Sequence, residues 1–352
     1  MIVAWRRLVL VILVTIALIW VSAGCSVTTP TDTKVIIPVD LPELPPRGFF
    51  MGLLPIPGEG QSFAEAYQKT SSCADFTPVW GRPTPFYDLA QELSGDWGET
   101  FVEQYTRGNG LFPLVHMSFI GTGMALIVPS GMSGATLQSP EWRQTYKEAA
   151  IDVVRAIKPL YLSLGNEVNR WYEQYGADDS DPNSFQNYIS LYEEIYDAVK
   201  QLSPQTKVFC TFAREIISQY READLTVLQM FNADKIDLLV FTSYPYAVQG
   251  INHPSDIPAD YYSSALDYMP GKPFGFSEVG WSALDAFGGE KGQADFINLV
   301  ATHLTVDQGI DLQLLGWPWL NALDASDSIS LIKKDGTERL AYAAWQKLFD
   351  EG

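Results

Sequence analysis

Leu162-Ser-Leu-Gly165-Asn166-Glu167 is an apolar run that breaks off in a polar pair, and Phe274-Gly-Phe-Ser277-Glu278-Val-Gly-Trp281 repeats the design 111 residues later. Runs that stay apolar rather than alternate suit strands buried on both faces, as in a parallel sheet under helices. A carboxylate at the exit of such a strand is costly unless solvated or paired. Two of them suggest a shared task. Their separation is three units of about 37 residues, an ordinary size for a strand plus its returning helix in a closed barrel.

Working outward, similar β-rich runs recur at 48–56, 76–80, 111–119, 161–167, 207–212, 238–244, 273–279 and 313–319. Eight strands alternating with helical stretches predict an α/β chain folded as one (β/α)8 TIM barrel over 48–352. Ser62-Phe-Ala-Glu65 reads as a capping box, and Ser139-Pro140 opens a helix where proline's missing N–H costs nothing. Residues 184–202 and 291–307 carry apolar side chains at three- and four-residue spacing, as in Tyr188, Leu191, Tyr192, Ile195 and Val199. The stretch 120–138, rich in Gly, Ser and Met, is too irregular for an element and should overhang the face where barrels act.

Before the barrel, Arg6 and Arg7 precede an apolar run, Leu8–Val21, that exits through Ser22-Ala-Gly-Cys25. This is the pattern of an export signal over 1–25. Ala-Gly-Cys resembles a lipobox, with Cys25 as the lipidated residue, although Ser22 stands where an aliphatic residue is usual. Cleavage after Ala23 and an uncleaved anchor are the other routes. Residues 26–47, rich in Thr, Pro and Asp, read as a flexible tether. Cys73 and Cys210 lie in separate apolar settings and are expected as two buried thiols.

The 352-residue chain carries a net charge of −19, and no Lys/Arg stripe runs through its body, so a nucleic-acid partner is not expected. Three histidines without paired spacing give no metal centre, and no Gly-rich phosphate loop or serine nucleophile elbow appears, so no cofactor is called for. Ten Trp, 17 Tyr and 18 Phe exceed the needs of a core, leaving rings that could line a surface. The expected form is a monomer that meets a membrane only through an N-terminal lipid.

Polar and aromatic residues at the strand ends are the candidate site. Asn166 and Glu167 end the fourth strand, Tyr244 and Pro245 the sixth, Glu278 the seventh, and Trp317-Pro-Trp319 the eighth. Each has a plainer reading: Glu167 could cap the next helix, Glu278 could pair with an arginine, and the tryptophans could pack. His116 near the end of the third strand, Trp80 after the second, Trp171 and Trp281 are further candidates, each equally able to serve as packing.

Asn-Glu ending strand four, Tyr on strand six, Glu ending strand seven and Trp on strand eight together resemble glycoside hydrolase clan A over about residues 48–350. The resemblance implies Glu167 as acid/base, Glu278 as nucleophile, Asn166 on the sugar 2-hydroxyl, Tyr244 donating to Glu278, and Trp317 as the sugar's floor. Clan members commonly carry an arginine after strand two; here Arg82 follows a Trp80-Gly turn, out of step with that position. Two carboxyls about 5–5.5 Å apart suit retaining hydrolysis. The expected activity is endo-hydrolysis of a β-linked oligo- or polysaccharide, loosely similar to the endo-β-1,4-galactanases of family 53, though Ser-Glu-Val-Gly-Trp departs from that family. A non-catalytic glycan-binding lipoprotein and a transglycosylase remodelling cell-surface glycan are the alternatives.

Overall fold

The computed structural model of the chain describes residues 36–80 and 85–351. The expected export signal, Cys25, the first part of the tether and Arg82 lie outside the described residues, as does the side chain of Trp80. Within them the chain is a parallel barrel: β1 (Phe50–Leu53), β2 (Phe76–Trp80), β3 (Phe112–His116), β4 (Tyr161–Ser163), β5 in two halves (Lys207–Phe209 and Thr211–Ala213), β6 (Leu239–Ser243), β7 (Phe274–Val279) and β8 (Leu312–Trp317). Each strand pairs with its sequence neighbour, and β8 pairs back onto β1 with Gly52 beside Gly316.

The ring closes through β5, whose two halves flank Cys210. Its first half pairs with β4 and its second with β6. Short strands with Val, Leu and Phe on both faces make this possible: Leu114, Val115, Leu162, Val208, Leu239, Val240 and Phe241 are fully buried. Cys73 and Cys210 are separate buried free thiols.

The helices follow the expected periodicity. α1 (Phe63–Ser71) begins at the Ser62/Glu65 capping box, and Pro140 is the first residue of α3 (Pro140–Ile157), after α2 (Phe86–Ser94). α4 (Val168–Tyr175) follows Glu167 directly, and α5 (Phe185–Leu202) buries Tyr188, Leu191, Tyr192, Ile195 and Val199. α6 (Gly289–Ala301) stops before the end of the predicted 291–307 helix, because the chain breaks at Thr302 and resumes as a 3-10 turn at Val306–Gln308. α7 (Leu340–Asp350) completes the ring. The crossovers from β5 to β6 and from β6 to β7 contain 3-10 turns in place of α-helices.

Residues 36–47, in the expected tether, lie against the barrel. Ile37 N–H donates to Leu202 O, Val39 is buried, and Arg47 pairs with Asp75 and donates to Phe349 O. No described helix is long and apolar enough to cross a membrane.

Candidate active site

β4 ends where it must turn from strand to helix within four residues. Gly165 permits this, since a Cβ there would meet Val168 Cγ1 at 2.5 Å and Tyr188 Oη at 2.8 Å. Glu167 then takes a left-handed backbone (φ 50°, ψ 47°) and caps α4. For a residue with a Cβ that conformation costs about 1–2 kcal/mol and persists only where neighbours hold it. Here they do. Glu167 N–H donates to Thr211 Oγ1 at 2.9 Å, and the same hydroxyl donates to Asn166 Oδ1 at 2.8 Å. One turn on, the Asn169 amide exchanges two 2.8 Å bonds with Ala213 N–H and O. The second half of β5 thus fixes the Asn166-Glu167 pair and leaves the Asn166 Nδ2 end for a ligand.

β6 supplies the link between the two carboxylates. Thr242 Oγ1 donates to Glu167 Oε1 at 2.8 Å, and Thr242 lies in register with Glu278 on β7. Tyr244, two residues further, donates its hydroxyl to Glu278 Oε1. Both glutamates are half-buried. Glu167 Oε2 also meets the exposed Arg170 at 2.5 Å, so both of its oxygens are engaged.

Burial pushes the Glu278 carboxyl up to about 7; the Tyr244 hydroxyl opposes that shift and the charge of Glu167 adds to it. The Tyr244 phenol is itself raised far above its ordinary value by burial and by Glu278, so it stays a donor. His116, at the end of β3 and in register with Trp80, is buried; desolvation lowers it to about 3, which keeps the ring neutral.

Three aromatic expectations are corrected. Trp317 is 1% exposed and faces outward to Phe296 and Trp345, its indole donating to Ile329 O, so it cannot floor a sugar. Trp281 is fully buried against Phe296 and bonds Phe287 O. Trp171 is likewise buried, tilted against Tyr175 and bonded to Asn183 O. Each fills the layer between barrel and helices. Trp319 is the ring left half-exposed at this end of β8, held by Asp327 Oδ2 at 2.6 Å.

Thr211, Thr242, Asp327 and Glu215 were not among the sequence candidates. Their partners lie on other strands, which no local pattern reveals. Glu215 alone carried a signal, as half of a charged Arg214-Glu215 pair following an apolar strand. Beside Glu167, a cavity of about 320 Å³ is lined by Ser118, Gly121, Thr122, Asn166 and Arg170 among others, which brings residues 120–124, the start of the irregular 120–138 stretch, next to Glu167. Among the described residues no group of three or more His, Cys, Asp or Glu is arranged to hold a metal.

No protein-family model matches the sequence, and no curated protein matches it. Solved structures do. GH5_18 from Streptomyces cattleya in complex with GlcNAc superposes with a TM-score of 0.59 at 14% identity, over 87% of this chain and 80% of that one. Native xylanase 10B from Thermotoga maritima gives 0.58 at 12%, over 87% and 96%. A family 39 glycoside hydrolase from Bacteroides cellulosilyticus gives 0.58 at 15%, over 88% and 65%. The chain shares the (β/α)8-barrel fold of these structures.

Proposed function

We propose that this chain is a retaining β-glycoside hydrolase, with Glu278 as nucleophile and Glu167 as acid/base. The observation that carries the reading is the use of one strand, β6, to hold both carboxylates at the barrel mouth, Glu167 through Thr242 and Glu278 through Tyr244. A binding module needs no such bracket around two acids. In the reaction, Glu278 attacks the anomeric carbon while protonated Glu167 gives its proton to the departing oxygen; Glu167 then takes a proton from water, which releases the sugar with its original configuration. Tyr244 favours the ionised Glu278 before attack. Asn166 Nδ2 is positioned to donate to a sugar hydroxyl beside Glu167, and Trp319 replaces Trp317 as the ring offered to a sugar face.

We take the substrate to be a β-linked oligo- or polysaccharide, with family 53-like endo-galactanase action as its finer form, and hydrolysis as the reaction. Product analysis over a glycan panel tests this, with anomeric configuration followed by NMR. Glu278→Ala is expected to abolish turnover, and added azide to restore it as the inverted glycosyl azide. Undiminished hydrolysis by that variant would refute the assignment. We also propose export, on Arg6-Arg7 and the apolar run after them, with Cys25 as a lipid acceptor. Metabolic labelling with a fatty acid should mark the native chain and not Cys25→Ala; equal labelling of both rejects the anchor.

A further inference from the structure

A carboxylate outside the proposed chemistry lies buried directly behind it. Glu215 follows the second half of β5, is 4% exposed, and accepts three hydrogen bonds. Oε1 takes the Ser243 hydroxyl at 2.8 Å and the Tyr261 hydroxyl at 2.7 Å; Oε2 takes the Tyr244 N–H at 2.7 Å. Tyr262 Oη adds a 2.9 Å bond to Ser243 Oγ. The charged neighbour is Arg214, whose guanidinium lies 3.9 Å over the Tyr261 ring, bonds Tyr261 O and pairs with Glu222. Tyr246 is the remaining titratable neighbour.

Burying a carboxylate among phenols is expensive, and a fold needing only stability has cheaper fillers. What this one gains is at Tyr244. The ladder between β6 and β7 ends at Ser243, where Gly280 N–H bonds Ser243 O, and Pro245 turns the chain away. The Tyr244 amide would have no strand partner there; Glu215 provides one. The ring is fixed from the other side, since a Cβ on Gly280 would lie 2.9 Å from Tyr244 Cε1. Held at backbone and ring, the Tyr244 hydroxyl has one direction left, and Glu278 is in it.

We propose that Glu215 is a positioning residue that aims the Tyr244 hydroxyl at Glu278 and so sets the protonation of the nucleophile. The inference rests on the proposed role of Glu278, but its principal readout does not need turnover. Glu215→Gln keeps the size and loses the carboxylate: one amide oxygen, Oε1, remains to accept, and the Nε2 amide, a donor, now faces either the hydroxyl donors or the Tyr244 N–H. Tyr244 is released, its bond to Glu278 weakens, and the carboxyl titrates higher.

The test is a carbon NMR titration of side-chain carboxyl-labelled glutamate in the full chain, with the Glu278 signal assigned from its loss in Glu278→Gln. E215Q is expected to move the Glu278 midpoint up by about 0.5–1 pH unit, the size of a weakened hydrogen bond to the charged form. Y244F should move it in the same direction, and E215Q added to Y244F should move it no further. On an aryl β-glycoside, E215Q should lower kcat about two- to fivefold at neutral pH, the loss of ionised Glu278 that such a shift produces, with KM within about twofold, and shift the pH profile with the NMR midpoint. An unmoved midpoint in E215Q, or an equal further shift on the Y244F background, overturns the proposal. If E215Q does not fold, S243A and Y261F each remove one donor and leave the carboxylate; a smaller upward shift supports the proposal and none overturns it. Failure of every glycoside to react with the native chain would reject the hydrolase reading and leave the titration to be judged alone.

Discussion

At the scale of single residues, protonation decides the roles. A carboxyl raised to about 7 often marks a general acid, yet here the raised group is Glu278, the nucleophile of the proposed mechanism. The two readings differ in sign. A nucleophile must be ionised, so kcat/KM should climb with pH through a midpoint near 7, and Tyr244→Phe should push that midpoint higher by removing a donor to the charged form. Were Glu278 the acid, rate would fall through the same pH. A pH–rate profile on an aryl β-glycoside distinguishes them, and a falling limb near 7 would exchange the roles of the two glutamates. The tryptophans give a second residue-scale prediction. Trp319→Ala should raise KM roughly 2–12-fold, the equivalent of about 0.5–1.5 kcal/mol of ring contact, with little loss of stability. Trp317→Ala should instead cost about 3–5 kcal/mol in denaturant unfolding. The reverse pattern would restore Trp317 as the sugar's floor. Glu167, Glu278 and Tyr244 were legible because a polar group at the end of an apolar run is conspicuous. Trp281 and Trp317 were misread because which face a residue takes at a strand end depends on the backbone turn, which composition does not encode.

At the scale of elements, strand starts were easier to read than strand ends. The run 161–167 is continuous in sequence, but β4 stops at Ser163 because Gly165 and the left-handed Glu167 bend the chain toward α4. The bend is stabilised from β5, since Thr211 takes the Glu167 N–H and gives its own proton to Asn166. Thr211→Val, nearly the same shape, leaves a part-buried N–H and an amide oxygen without that partner. We expect a loss of about 1–3 kcal/mol in thermal or denaturant unfolding together with a fall in kcat, and near-native behaviour from Thr211→Ser. A stable, active Thr211→Val would mean that the Asn169–Ala213 exchange alone holds the junction. Helices were legible wherever a cap and a 3.6-residue period coincided, as in α1, α3 and α5. The crossovers around β6 were not, for they are built from 3-10 turns anchored by side chains such as Tyr261 and Tyr262, whose partners lie far away in sequence.

At the scale of the whole molecule, closing the barrel brings two half- or fully buried carboxyls together in a chain of net charge −19, and this fixes how stability must depend on pH. Glu215 and Glu278 are both raised to about 7 in the folded state, burial being the first cause in each. A raised carboxyl binds its proton more tightly when folded than when unfolded. Its contribution is therefore fully present below the ordinary value of 4.5 and is lost as pH rises through about 7. Self-repulsion among the surface carboxylates adds a smaller term in the same direction, since most of them are already ionised by about pH 5.5. Opposing them at the acid end, Asp178, Asp256, Asp324 and Asp335 are lowered by hydrogen bonds at turns, and that support is lost only as pH falls below the ordinary Asp value of 3.8. The melting temperature should thus be higher near pH 5.5 than near pH 8. Salt separates the two causes, because it screens surface repulsion while leaving buried groups largely untouched. In high salt the native chain should keep part of its slope between pH 5 and 8, and Glu215→Gln with Glu278→Gln should flatten it. A native melting temperature that rises across that interval, or a double variant whose slope in salt matches the native one, would show that neither buried carboxyl retains its proton on folding.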